Sequence, residues 1–309
     1  MTCWAPHFSP DGMDCSTMFY FGSSPFTLAP ILNVPILKVG SIRFACLFVV
    51  AGLLAPFGAF ATGTQIDLRH EVQWGNVNVG EVETSWLFDQ TTFEMVGKSR
   101  TVGISEKLRK YRGNSTAKGH IHDNRHMPVQ IDINGIYKGM ERNATAIWNP
   151  KNGRIRTVRT PSLNLKKVHP LDDKVIQGSI DPYTAMLRAL HTIKQTGSCN
   201  SSHNIYDGLR TAELTLHDLE DDLRPNFLTA DRPDAYDGAV IACGLTSKPT
   251  GGHQLKSRWN KKKRNIDDTI IFIAEIEPDI FLPVRIEIKT FLGTITTRLV
   301  MTSLSIKNS

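Results

Sequence analysis

Apolar and polar positions alternate along most of the chain from residue 65 onward. In the stretch 66–72, mainly apolar residues occupy every second position, and charged residues occupy the positions between them. This period of two is typical of a half-buried β-strand. Turn signals separate such stretches, and the clearest are Gly75-Asn76, Asn134-Gly135 and Asn152-Gly153. Because Asn-Gly pairs favour two-residue hairpin turns, we predict antiparallel hairpins around the last two pairs.

The second half of the chain contains further strand patterns. They cover residues 205–216, 239–246, 270–276, 284–288 and 294–304. Together with the earlier stretches they make about ten strands, and helical patterns are rare. This combination indicates a mainly β protein, built as a curved antiparallel sheet or an open barrel.

One segment has the signals of an amphipathic helix. Asp181 suits the N-cap position, Pro182 suits the first helical position, and Gly197 supplies the stop. The apolar stripe between them consists of Met186, Leu187, Leu190 and Ile193. We predict a helix over residues 181–195 that packs this stripe across one side of the sheet.

The N-terminal region has the order of a secretory signal. Lys38 and Arg43 precede an uncharged apolar run over 44–55, and the small residues Ala59 and Ala61 occupy the positions that a signal peptidase reads. The run is about 12 residues long, whereas a helix that spans a bilayer needs about 20. We therefore predict cleavage after Ala61, and the alternative is an N-terminal anchor.

This interpretation divides the chain into a leader over 1–61 and a single β-rich domain over 62–309. Residues 1–37 precede the basic part of the signal, which indicates a start assigned too far upstream or an unusually long leader. The mature chain would begin with Thr62 rather than with cysteine, so we expect no lipid anchor. The expected product is a periplasmic protein with no transmembrane span in its mature form.

Two of the five cysteines remain after such cleavage, namely Cys199 and Cys243. An even pair in an oxidising compartment favours a disulfide. The bond would close a loop of about 45 residues and stabilise the fold by roughly 3–4 kcal/mol. The alternative is a reactive or metal-binding thiol, but the sequence has no Cys-x-x-Cys and no histidine at ligand spacing.

Composition and charge narrow the class of protein. Hydrophobic residues make up 40% of the chain, which is enough to build a globular core, and the net charge is +6. This excess favours anionic surfaces such as phospholipid or lipopolysaccharide head groups. It is far smaller than the excess of a dedicated nucleic-acid binder, so we expect no nucleic-acid partner.

Several motifs in a fixed order resemble a known family. They are the segments 181–190, 206–214 and 282–294, the pair Ala242-Cys243, and the pair Gly251-Gly252. Together they resemble the family catalogued as domain of unknown function 3108, which occurs in bacterial envelopes. The resemblance implies a secreted β-rich domain with no established activity. Its expected shape is similar to the open barrels of periplasmic lipoprotein and lipid carriers, by analogy of fold alone.

The best candidate for contact with an anionic ligand or surface is a basic segment. It consists of Lys256, Arg258, Trp259, Lys261, Lys262, Lys263 and Arg264. Such a run attracts phosphate groups, and its tryptophan is suited to an interface. In an exported protein the expected partner is an anionic lipid or glycan. The alternative, which the pattern favours, is a solvated loop.

A second candidate lies on one of the last strands. Arg285 and Glu287 fall on the same face as Lys289. They are interpreted either as an ion pair at the mouth of a cavity or as the solvated face of an antiparallel sheet. The second interpretation is the commoner one.

Signals for metal binding and catalysis are weak. His120 and His122 would share one face of a strand near His126, as metal ligands do, but the surrounding polar residues favour a solvated loop. The acidic stretch 218–222 lacks the order of a calcium loop. Lipase, zinc-protease, phosphate-loop and dinucleotide signatures are all missing, so we expect neither a catalytic residue nor a metal nor a cofactor.

These observations lead to one main functional hypothesis and two alternatives. The main hypothesis is a non-catalytic envelope protein that binds an apolar or amphipathic component against its curved sheet, with basic residues at the rim. The first alternative is a structural or assembly protein that holds a protein partner through a sheet edge or the basic segment. The second is a hydrolase of envelope polymers, which would need convergent carboxylates or histidines.

Overall fold

In the computed structural model, the parts of the chain that are described belong mostly to one sheet. The described residues are 62–108, 110–137, 140–161, 168–219, 236, 238–253, 255, 269–290 and 293–308. The leader and the basic segment, as well as residues 220–222 of the acidic stretch, therefore lie outside the described residues.

The first half of the sheet is a series of antiparallel hairpins. Its strands are β1 (Thr62–Trp74), β2 (Val77–Phe88), β3 (Thr92–Thr101), β4 (Tyr111–His122), β5 (Arg125–Tyr137), β6 (Met140–Trp148) and β7 (Ile155–Thr160). A short helix, α1 (Gly103–Leu108), connects β3 to β4. The turn at Gly75-Asn76 and the connection at Asn152-Gly153 are confirmed, and Gly75 and Gly153 both have positive φ angles.

The hairpin predicted at Asn134-Gly135 is wrong. Both residues lie inside β5, where Gly135 pairs with Gly113 of β4 on one side and with Arg142 of β6 on the other. A ladder on each side supplies the backbone hydrogen bonds that a turn would otherwise have to provide. Pairing with the neighbouring strands β4 and β6 has therefore overridden the local turn preference of the Asn-Gly pair.

The second half begins with helices and continues as a meander of strands. The helices are α2 (Asp173–Gln177) and α3 (Pro182–Thr196). The strands are β8 (Ser201–Tyr206), β9 (Thr211–Asp218), β10 (Ile241–Gly251), β11 (Thr269–Glu277), β12 (Ile280–Thr290) and β13 (Gly293–Asn308). The predicted helix over 181–195 is confirmed as α3. Asp181 caps it, and Gly197 ends it with a φ of 70°.

The single strand predicted over 205–216 is in fact two strands, β8 and β9. Asp207 turns the chain between them, because its carboxylate accepts hydrogen bonds from the backbone N of Leu209 at 2.8 Å and of Arg210 at 2.6 Å. Gly208 has a φ of 87°, a conformation that favours glycine. The guanidinium of Arg210 also contacts the Asp207 carboxylate at 2.8 Å, so the pair stabilises this turn.

Strand β13 joins the two halves into one antiparallel sheet of thirteen strands in the described part of the chain. It pairs with β1 and with β12, so the order runs β7-β6-β5-β4-β3-β2-β1-β13-β12-β11-β10-β9-β8. The predicted class, a mainly β curved or barrel-like antiparallel sheet with a helix across it, is confirmed. The number of strands was underestimated. The sheet is open, and β7 and β8 are its edges.

Side chains connect the two edges. Arg159 on β7 donates from Nε to the carbonyl oxygen of Gly208 at 2.6 Å, and it also donates to the hydroxyl of Tyr206. That hydroxyl lies 3.0 Å from Oγ1 of Thr157. Ile180, which precedes α3, forms a parallel bridge to Ile205 on β8. Side chains and this bridging residue therefore cover sheet edges that would otherwise be open to pairing with another chain.

The core lies on the inner face of the sheet, which is the face that contacts α3. Trp86, Met95, Ile131 and Leu299 are among its buried residues. Helix α3 contacts β4, β5, β8 and β12, and its buried residues include Leu187, Leu190 and Ile193 of the predicted stripe. Four further residues of α3 are buried outside the predicted stripe, namely Tyr183, Thr184, Ala185 and Ala189. The buried surface of α3 is therefore wider than the predicted stripe.

Candidate functional site

Helix α3 covers the part of the inner face that a long apolar ligand would need. The Tyr183 hydroxyl on this helix lies 2.7 Å from Oγ of Ser115 in the middle of β4. A cavity of about 300 Å³ does exist near the ends of β2, β3 and β4. Its lining includes Asp89, Glu94 and Lys118, so it does not have the character of an acyl-chain site.

The sheet has two ends, and one of them carries α1. Antiparallel pairing places the β1–β2 turn, α1, the end of β5 and the β12–β13 connection at the same end, which we call the α1 end. Helix α1 is fixed to β2 there, because Ser105 donates from Oγ to the carbonyl oxygen of Val79 at 2.5 Å. The turns at 89–91, 123–124 and 278–279 lie at the opposite end.

Large apolar side chains project into solvent at the α1 end. Leu108 is 74% exposed and Ile104 is 62% exposed, and none of the residues of α1 is buried. Val77 at the start of β2 and Ile136 near the end of β5 are exposed as well. A cluster of exposed apolar residues at one place on a protein often marks an interaction surface, whereas single exposed residues need no explanation.

Cationic side chains lie in α1 and directly after it. Lys107 and Lys110 are exposed, and so is Arg112 at the start of β4. Glu106 is the carboxylate nearest to them, at 4.0 Å from Nζ of Lys110 and 3.8 Å from Arg112. The described part of the α1 end is therefore both apolar and basic, a combination that suits an anionic amphipathic partner.

The chain ends that lead into the basic segment lie at this same end. Gly251 at the end of β10 pairs with Thr211, and Thr269 at the start of β11 pairs with Ile288 close to the β12–β13 connection. The chain between them thus departs from and returns to the sheet at the α1 end. Lys256, Arg258, Trp259, Lys261, Lys262, Lys263 and Arg264 belong to that connection and lie outside the described residues.

The solvated-face interpretation of Arg285 is wrong. Arg285 is only 6% exposed, and its guanidinium contacts Glu287 at 2.5 Å and lies over the ring of Phe272 at 5.9 Å. Arg298, its register partner on β13, is equally buried. Both faces of β12 are therefore largely covered, and only Lys289 of the predicted polar set is exposed.

The predicted histidine candidates do not come together as a metal site. His120 and His122 are exposed near the end of β4, whereas His126 on β5 points to the inner face and stacks against Phe93 at 5.7 Å. Within the described ranges, no group of three histidine, cysteine, aspartate or glutamate side chains has the geometry to hold a metal ion. Asp218, the first residue of the acidic stretch, accepts a hydrogen bond from the backbone N of Cys199 at 2.7 Å.

The predicted disulfide is present. Cys199 and Cys243 are joined at a Cα–Cα distance of 5.7 Å, and both residues are fully buried. The bond links the loop after α3 to the start of β10, across strands β8 and β9. It therefore holds the C-terminal end of the core helix against the sheet.

Comparison with known proteins identifies a family and a structure with a similar fold. The family described as "Protein of unknown function (DUF3108)" matches residues 69–300, which is most of the chain. The chain belongs to the DUF3108 family. The chain is also similar to the crystal structure of a beta-barrel-like protein of the domain of unknown function DUF1849 from Brucella abortus. The superposition covers 81% of this chain and 99% of that chain, with 9% sequence identity and a TM-score of 0.39. No curated protein matches the chain.

Two features of this DUF3108 domain were missed in the sequence. The exposed pair Ile104 and Leu108 lies in a helix of only six residues, which is too short to give a periodic signal. The second is a group of basic side chains between α3, β5 and β8, whose members come from three separate elements.

None of the helices described in the DUF3108 domain has the length and apolar character needed to cross a bilayer.

Proposed function

We propose that this protein is an exported, non-catalytic domain of the cell envelope that binds an anionic amphipathic surface through its α1 end. The observation that supports this most directly is the group of exposed apolar side chains, led by Ile104 and Leu108, beside the cations Lys107, Lys110 and Arg112. The expected partner is the head-group region of phospholipid or lipopolysaccharide. Burial of acyl chains inside the sheet is no part of this proposal, because α3 occupies that space.

Binding of this kind would combine two forces. Burial of apolar side chains at the acyl boundary contributes about 25 cal/mol for each Å² removed from water. Each cation near an anionic surface would contribute about 1 kcal/mol to the binding free energy. These cations are Lys107, Lys110 and Arg112, together with those of the basic segment. Arg285 lies on β12 as a buried ion pair, so we assign it no contact with the surface.

The protein-partner alternative is less well supported. Its sheet-edge form requires a free edge, but the described edges are covered by the Arg159–Tyr206 contacts and by Ile180. Its other form would use the basic segment, which lies outside the described residues. A hydrolase would need convergent ionisable groups in a cleft, and among the described residues the cavity near β2, β3 and β4 holds an ion pair, between Lys118 and Glu94 at 3.3 Å.

Replacing Ile104 and Leu108 together with serine is expected to weaken binding to vesicles of anionic phospholipid by about tenfold. The expected loss corresponds to about 1.4 kcal/mol, because each side chain would be only partly buried in the head-group region. Co-sedimentation with vesicles of anionic and of zwitterionic lipid measures the effect. Helix α1 buries no residue, so far-UV circular dichroism should remain unchanged.

Val158→Ser provides a matched control, since Val158 is 59% exposed but lies on β7, away from α1. It should bind vesicles like the unmodified protein. A further variant with Lys261, Lys262, Lys263 and Arg264 changed to glutamine should flatten the salt dependence of binding. Equal binding of the serine variant and the control would show that the α1 end is not the contact surface.

The export part of the proposal predicts a processed N-terminus. Cleavage behind Ala61 makes Thr62 the first residue of the mature chain. Mass spectrometry of the protein from a fractionated bacterial host should therefore identify Thr62 as the N-terminal residue, in the periplasmic fraction. An Ala59→Arg, Ala61→Arg variant should retain the leader, since signal peptidase requires small residues at both positions. An unprocessed chain in the cytosol would contradict export.

A further inference from the structure

A group of basic side chains lies between α3 and two strands at the end of the sheet opposite α1. We call it the histidine–arginine cluster, and its members are Arg188 and His191 on α3, His126 on β5 and His203 on β8. Arg188 and His191 are three residues apart on α3, which places them on neighbouring positions of one helix face. The contacts of α3 with β5 and β8 bring the other two members to that face.

Direct contacts hold part of the cluster in place. Arg188 donates from Nε to the carbonyl oxygen of His126 at 2.8 Å, which fixes the guanidinium against the start of β5. The rings of His126 and His191 meet edge to face, with their centroids 6.3 Å apart. Phe93 closes the other side of His126, with a centroid distance of 5.7 Å. All four members of the cluster are half-buried, so they are partly desolvated and still reachable from solvent.

Arg188 carries the permanent charge of the cluster and forms no ion pair with a described carboxylate. Ion pairs are common elsewhere on the sheet, by contrast. Burial and then the charge of Arg125 lower the pKa of Arg188, and Asp181 opposes this. The pKa of His126 falls to about 4, first through burial and then through His191 and Arg188.

Two ring nitrogens of the cluster also lack hydrogen-bond partners. Nδ1 of His126 and Nε2 of His203 are buried, and neither has a partner among the described residues. Buried polar groups are normally hydrogen-bonded, and those that are not call for an explanation. Burial and then Arg188 also lower the pKa of His203. An oxyanion with several acceptor oxygens can accept from imidazole N–H groups and from a guanidinium at once.

We propose that the histidine–arginine cluster is a binding site for a phosphate-type oxyanion. Arg188 supplies the permanent charge and the terminal guanidinium donors. His126, His191 and His203 supply ring donors from three elements, α3 among them. The site is separate from the surface at the α1 end and can therefore bind its anion whether or not that surface binds lipid. A soluble phosphate ester and a lipid head group present the same oxygens to this site, and the experiment below distinguishes these two sources.

Isothermal titration of the purified protein with inorganic phosphate tests the site. We expect saturable binding below about 10 mM that the same ionic strength of chloride does not reproduce. Arg188→Gln should raise the dissociation constant at least about tenfold, because it removes a charge-assisted contact. Arg156→Gln, which changes an exposed arginine on β7, should leave the dissociation constant unchanged.

A second measurement covers the case in which Arg188→Gln fails to fold. Imidazole resonances of the unmodified protein should shift for His126, His191 and His203 during the titration, while the buried His70 serves as an internal reference. His191→Ala should raise the dissociation constant about threefold. The absence of histidine shifts, or equal phosphate affinity of the Arg188→Gln and Arg156→Gln variants, would overturn the proposal.

The source of the phosphate can be separated in the same experiment. Glycerol phosphate should compete with inorganic phosphate if the natural ligand is a soluble ester. A short-chain phosphatidic acid that binds more tightly than glycerol phosphate would identify a lipid head group. The Ile104→Ser, Leu108→Ser variant should keep its affinity for inorganic phosphate, so failure of the surface proposal and failure of this one are distinguishable.

Discussion

Replacing both Cys199 and Cys243 with alanine is expected to lower the free energy of unfolding by about 3–4 kcal/mol. The bond spans 44 residues of sequence, and its removal returns the conformational entropy of that loop to the unfolded chain. Alanine is preferable to serine, because both positions are fully buried and a hydroxyl there would need a partner. Equilibrium denaturation in urea, followed by circular dichroism, measures the difference.

The reduced form of the unmodified protein is the natural control for this variant. It should unfold at nearly the same urea concentration as the double alanine variant, since both lack the covalent link. Under oxidising conditions the unmodified protein should return to the higher midpoint. A double variant that unfolds at the midpoint of the oxidised protein would show that the α3 end is held to the sheet by packing alone.

Asp181→Ala is expected to destabilise the protein by about 3 kcal/mol. The Asp181 carboxylate is fully buried and accepts hydrogen bonds from the backbone N of Tyr183 at 2.9 Å and of Thr184 at 3.0 Å, and from the Thr184 hydroxyl. Alanine would leave these buried donors without an acceptor. Each such loss costs about 1–3 kcal/mol, well above the cost of losing an exposed helix cap.

Asp181→Asn is the matched control, and it should lose less than about 1 kcal/mol because its amide oxygen still accepts from the backbone. Burial raises the pKa of Asp181 above its ordinary 3.8. A raised folded-state pKa means that stability falls as the pH rises from 3.8 through the folded-state value. Asparagine removes this dependence. Equal stability of the alanine and asparagine variants would show that the cap makes no net contribution.

The two proposed sites occupy opposite ends of the sheet and have different characters. The α1 end is exposed and combines apolar with basic side chains, whereas the histidine–arginine cluster is half-buried and basic. An exposed surface of this kind suits an extended partner such as a membrane. A half-buried cluster suits a small anion, because partial desolvation strengthens the contact with each charge.

The sequence by itself determined the features that depend on neighbouring residues. The alternation over 66–72 predicts β1, and the signals at Asp181 and Gly197 predict α3 almost to the residue. The disulfide was also predicted from the sequence, because only two cysteines lie beyond the predicted leader. Local periodicity, caps and cysteine number are properties of short segments or of composition, so they need no knowledge of the packed chain.

Tertiary structure alone decided the features that depend on distant partners. Asn134-Gly135 became the interior of β5 because a strand pairs with it on each side, and Arg285 became buried because both faces of β12 are covered. The α1 end and the histidine–arginine cluster arise only when β-strand register and helix packing bring separate segments together. Each group combines residues that are close in sequence, such as Ile104 and Leu108 or Arg188 and His191, with residues from other strands, and no local pattern specifies which of these segments will meet.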